Sequence, residues 1–209
     1  MATTKRHRPS AQARRDALLQ ATVEVAAELG TAGVTHRAVT ERAGLPLATA
    51  SYFFGSIDEL AEEALRVFTA ADADSQLALA AALAEQHSTP DEVATAFTAA
   101  VEPRRPETLA MIEAYLHAAR SPEFRDALSD ALAATRRVAA AAAAAAGSPD
   151  PDAGAPAFAA LAHGFALHEL GVPGSVPPET VHDAFRALFL GYLLDAGHTE
   201  LALSLAKRA

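Results

Sequence analysis

The chain has 209 residues, 51% of them apolar, which is enough to bury a substantial core without outside help. It contains no cysteine, which excludes a disulfide framework, a thiolate metal site and a cysteine nucleophile. The formal charge of −9 is segregated: Lys5, Arg6, Arg8, Arg14, Arg15, Arg37 and Arg42 precede Ile57 against only Asp16, Glu24, Glu28 and Glu41. That surplus of three leaves −12 for the remainder, a polarity that would orient the approach to a polyanion. The opening MATTKRHRPSAQARR is charged and lacks an apolar run, and nowhere do about 18 apolar residues follow one another without polar interruption. No export signal or membrane span is expected, and the expected location is the cytoplasm.

Strand signals are nearly missing and alanine, the best helix former, dominates, so the predicted fold class is all-α. Pro9 and Ser10 start a first helix running to about Leu29, with Leu18, Thr22, Val25 and Leu29 on one inward stripe; Gly30 and Gly33 end it. Thr35 caps a short helix to Ala43, Gly44 supplies a tight turn, and Leu47 to Phe53 form a third helix. Ser56 caps a long amphipathic helix with Ile57, Leu60, Ala64, Val67 and Phe68 on its apolar side, reaching toward Gln86. Further helices are expected near 90–101, 106–119, 122–146, 154–170, 178–196 and 198–207, with proline and glycine between them. The alanine run Ala139 to Ala146 favours helix by propensity alone and is assigned no role.

Residues 34–60 read VTHRAVTERAGLPLATASYFFGSIDEL. A supporting helix, a glycine turn and a short second helix able to enter a DNA major groove are the parts of a helix-turn-helix, and Thr35–Ala43, Gly44–Pro46 and Leu47–Phe53 supply them. On Thr35, Val39, Ala43, Gly44, Leu45, Pro46, Tyr52, Phe54, Ser56, Asp58 and Leu60 the stretch resembles the amino-terminal domain of the TetR family of transcriptional regulators. Thr40 stands where alanine is usual, Ser51 where tyrosine is common, and Ile57 where relatives often carry a phosphate-touching lysine.

The resemblance implies a DNA-binding domain over residues 1–56 and a helical effector-binding and dimerisation domain over 57–209. It implies a regulator, most simply a repressor released from double-stranded operator DNA by a small-molecule effector, with no catalytic residue, metal or cofactor. Thr35 is a candidate phosphate contact, a helix cap, or both; His36 and Arg37 follow it at a helix start, where phosphate is favoured. Leu47 and Ala48 are candidates to lie on a thymine methyl and Thr49 to hydrogen-bond a base or phosphate, with Ser51, Tyr52 and Phe53 one turn on. The resemblance places the Tyr52 hydroxyl near the DNA backbone. Phe54, Val39, Leu45 and Leu60 read as core, and Lys5, Arg6, His7 and Arg8 as a basic arm or a solvated tail.

A single helix-turn-helix makes few contacts, so a homodimer reading two half-sites is expected. In relatives the last two long helices pair with their symmetry mates; here Val181, Ala184, Phe185, Leu188, Phe189, Tyr192 and Leu193 make the second too apolar for a one-sided surface helix, which favours an interface over internal core. Met111, Tyr115, Leu116, His117, Phe124, Leu128, Phe158, Leu161 and Phe165 are the candidate walls of an effector pocket, with Glu113 and His163 as further polar groups. A competing reading, a helical enzyme or metal-binding bundle, would have to use Glu113, His117 and His163. Two ligands four apart are weak evidence for a metal, and His163 and His168 lie about 140° apart on an ideal helix.

Overall fold

The computed structural model describes residues 10–101 and 106–206, so the arm Lys5 to Arg8 lies outside the described residues. Among the described residues there are ten α-helices and no strand. They are α1 (Ala11–Leu29), α2 (His36–Ala43), α3 (Ala48–Phe53), α4 (Ile57–Ala84), α5 (Pro90–Val101), α6 (Glu107–Arg120), α7 (Arg125–Ala145), α8 (Pro151–Gly171), α9 (Pro178–Asp195) and α10 (Thr199–Ala206). Short 3-10 turns at Thr31–Gly33 and Pro122–Phe124 precede α2 and α7. The all-α expectation holds, and most boundaries fall within a few residues of those predicted. The main exception is the segment expected as one helix from 122, where the 3-10 turn precedes α7.

The described residues form two compact units, those within 1–70 with 105–128, and those within 71–104 with 129–209. In the first, Leu18, Val25, Val39, Ala50, Phe54, Leu60 and Ala110 build the core of the helix-turn-helix head. Two expected core positions do not join it. Leu29 ends α1 and is 63% exposed, because the chain turns at Gly30 with φ +72°, and Val67 points outward while its neighbour Leu65 is buried. Gly33 has to be glycine for a steric reason, since a Cβ there would lie 2.4 Å from that of Leu29. The buried threonines carry their own remedy: Thr22 donates to the Leu18 carbonyl at 2.7 Å, and Thr40 to that of His36 at 2.7 Å, so the hydroxyl that replaces the usual alanine is not orphaned.

In the second unit Phe97, Phe158 and Phe185 form a triangle of near-parallel rings, with centroids 4.6 Å apart for Phe97 and Phe185 and 6.1 Å for the other two pairs, and Phe165 and Tyr192 at its margin. Val181, Phe185, Phe189 and Leu193, four residues apart along α9, all face this core. This corrects the preference for an interface at those four positions, because a stripe at this spacing is one face of a helix and the chain's own rings cover it. Ala184, Leu188 and Tyr192 are only half-buried. The alanine run also has a role that composition did not show: Ala139, Ala143 and Ala146 line the same core. The remaining void beside them is about 10 Å³ and almost entirely apolar.

Candidate nucleic-acid interface

The geometry of the head follows from two local signals. The Thr35 hydroxyl accepts the Ala38 N–H at 3.1 Å, which caps α2 as expected, and Gly44 takes the left-handed conformation (φ +65°, ψ 31°) that ends it. The chain then re-enters helix at α3 with Thr49 N–H bonded to the Pro46 carbonyl at 2.8 Å. Ser56 caps α4 through the Glu59 N–H at 3.0 Å, while the Glu59 carboxylate accepts the Gly55 N–H at 2.7 Å. The six-residue α3 thus lies between a glycine turn and the capped start of α4, both of which the sequence displays.

On α3 the expected residues separate into two faces. Leu47 and Tyr52 are 58% and 75% exposed, and Ala48 and Ser51 are exposed beside them. Thr49 is 8% exposed and belongs to the inner side with Ala50, so its burial does not support the expected base contact. Phe53 is half-buried, with its ring edge-on to Tyr52 at 4.9 Å. On α2, Thr35 and Arg37 are exposed, and His36 is half-buried with Nε2 enclosed and without a hydrogen-bond partner. Arg37 Nε donates to Glu41 at 2.8 Å, and that hydrogen bond holds the guanidinium above its ordinary pKa.

Several contacts that shape this head carry no sequence signal, because they join residues distant in the chain. Arg42 reaches Glu28 at 2.5 Å and Glu24 at 3.3 Å, which keeps the Glu28 carboxyl below its ordinary pKa. Arg15 pairs with Glu63 and lies 5.3 Å from the Phe54 ring centroid. Arg14 lies 5.9 Å from that of Phe53.

The candidate pocket residues divide. Met111, Tyr115, Leu116, His117, Phe124 and Leu128 belong to the first unit, and Phe158, Leu161 and Phe165 to the second. Phe124 is fully buried, with Arg66 over its ring at 5.3 Å and the His117 ring edge-on at 4.9 Å. Phe158 is part of the ring stack. The constellation for a metal or enzyme divides in the same way: Glu113 is bonded to the Thr31 N–H at 3.2 Å in the first unit, and His163 lies in the second. Among the described residues no three His, Asp or Glu side chains cluster as metal ligands.

Known proteins place this geometry. Residues 18–64 match the model of bacterial regulatory proteins of the tetR family, and residues 86–191 match the tetracyclin repressor-like carboxy-terminal domain. The chain belongs to the TetR family: it is a DNA-binding transcriptional regulator with a helix-turn-helix domain followed by a helical carboxy-terminal domain. Its fold is similar to that of a transcriptional regulator from Rhodococcus sp. RHA1, at 27% identity, TM-score 0.67, and coverage of 87% of this chain and 96% of that one. A regulator from Streptomyces coelicolor A3(2) also aligns at 27% identity, with TM-score 0.61 and coverage of 84% and 98%. The multidrug-binding protein EbrR, solved with proflavin, aligns at 26% identity, with TM-score 0.60 and coverage of 84% and 99%. No curated protein sequence matches the chain. Among the described residues no helix is long and apolar enough to cross a membrane.

Proposed function

We propose that this regulator is a homodimeric repressor that acts in the cytoplasm, binds double-stranded operator DNA and is released by a small-molecule effector, without catalytic activity, metal or cofactor. Residues 1–56 are the DNA-binding domain in this reading, and 57–209 bind the effector and pair the subunits. The observation that carries it is the outer face of α3, where Leu47 and Tyr52 stand in solvent on a helix locked from behind. Leu47 and Ala48 meet base edges, Ser51 and Tyr52 extend that contact with Phe53 beneath, and Thr35, His36 and Arg37 meet phosphate at the start of α2. That EbrR was solved with proflavin supports an organic effector.

Effector release is a reciprocal coupling: a ligand that weakens operator binding tenfold must itself bind about 1.4 kcal/mol more weakly to the DNA complex than to free protein. Footprinting on the DNA flanking the gene, repeated with candidate effectors, tests both halves. A protected pair of half-sites lost on effector addition is expected; no protection in that DNA and none on a random-sequence pool would refute operator binding, and protection that effectors strengthen would refute the sign. Arg37→Ala should weaken all DNA sequences alike if it grips phosphate, so a loss confined to one operator would remove Arg37 from that role.

A further inference from the structure

Between residues 10 and 56 the charges cancel: Arg14, Arg15, Arg37 and Arg42 face Asp16, Glu24, Glu28 and Glu41. The basic surplus of the amino-terminal segment therefore comes from Lys5, Arg6 and Arg8, outside the described residues. Within the head, three of the four guanidiniums already have carboxylates. Arg15 has Glu63, Arg37 has Glu41, and Arg42 has both Glu24 and Glu28. Among the described residues Arg14 has none, and its Nε is enclosed without a hydrogen-bond partner.

Its location gives that vacancy a meaning. The Arg14 guanidinium rests 5.9 Å from the centroid of Phe53, and the same ring meets Tyr52, the most exposed large side chain of α3, edge-on at 4.9 Å. A half-buried guanidinium has given up hydration, and an aromatic face at this distance returns only part of it. Nε itself is closed to solvent, so an outside anion reaches only the terminal nitrogens, and two oxygens of a DNA phosphate can take paired charge-assisted hydrogen bonds from them. Arg15 and Arg42 would have to loosen carboxylates held on their terminal nitrogens to do the same, whereas Arg37 gives Glu41 only its Nε.

We infer that Arg14 is a DNA-phosphate contact, held against Phe53 so that it grips the backbone beside Tyr52. The inference rests on the proposed reading that α3 meets DNA, and the test separates the two. A short duplex is enriched from a random-sequence pool by the full wild-type chain, and its affinity is read by fluorescence anisotropy from about 50 to about 300 mM salt, beside a scrambled duplex. Arg14→Ala should lower the slope of log K against log salt by about 1.8, one phosphate from each subunit of the proposed dimer, and weaken both duplexes roughly five- to tenfold or more near physiological salt. Arg14→Met keeps an unbranched stem against Phe53 without the charge and should show the same loss of slope, while Arg14→Lys should restore most of it.

Wild-type slope and affinity in Arg14→Met would overturn the inference and leave Arg14 as packing support for Phe53. Should Arg14→Ala lower the melting temperature, Arg14→Met alone decides. If the wild-type chain enriches no sequence and shows no salt-dependent binding, the α3 reading itself fails and takes this inference with it.

Discussion

Glu113 of α6 accepts a hydrogen bond from the backbone N–H of Thr31 at 3.2 Å, across 82 residues of sequence. Thr31 opens the short turn that leads from α1 into α2, so a carboxylate on α6 holds the segment that aims the helix-turn-helix. A carboxylate accepting a partly buried amide forms a charge-assisted bond, and leaving that N–H without a partner costs about 1 kcal/mol or more. Glu113→Ala should lower the unfolding free energy read from urea melts by about that much and weaken DNA binding with it, while Glu113→Gln, which keeps an acceptor oxygen, should lose less. Equal midpoints for wild type and Glu113→Ala would show that the bond contributes nothing.

Thr35 serves α2 as a cap and is proposed to serve DNA as a phosphate contact, and the two roles separate by charge. Thr35→Ala removes the acceptor from the Ala38 N–H and should cost about 1 kcal/mol of stability. Thr35→Asp also caps well and places a negative charge at a helix start, so stability should stay near wild type. The same charge repels phosphate, so DNA affinity should fall while the melting temperature holds. Thr35→Asp binding DNA as wild type does would leave Thr35 as a cap alone.

What the sequence displayed and what it hid divide along one physical line. The caps at Thr35 and Ser56 and the left-handed turn at Gly44 are set by residues adjacent in the chain, and all were legible. Whether Thr49 faces DNA or the head depends on how α3 is rotated against α1, and no spacing within six residues fixes that. The apolar excess of α9 signalled that its surfaces are covered, but the cover for Val181 and Phe185 comes from Phe97 and Phe158 in other helices. Periodicity reports a face and says nothing of its partner. Arg14 and Arg15 are neighbours with identical side chains, yet one finds Glu63 and the other only a ring, a difference that exists solely in three dimensions.

His163 of α8 makes stability depend on pH in a direction that can be worked out. Burial penalises the charged imidazole and pushes its pKa below the ordinary 6.5, with the Asp72 carboxylate on α4 partly opposing the shift. In the unfolded chain the ring takes up its proton near 6.5; in the folded chain it resists until the pH is lower. Between those two values the unfolded state binds more protons, so stability is intact above the window and is lost as the pH falls through it. Melting temperatures followed from about pH 8 to about pH 5 should therefore drop more steeply for wild type than for His163→Gln, whose side chain does not titrate. Asp72→Asn removes the opposing charge and should steepen the wild-type drop further. The difference between variants is the readout; parallel curves for wild type and His163→Gln would show that this ring is as well solvated folded as unfolded.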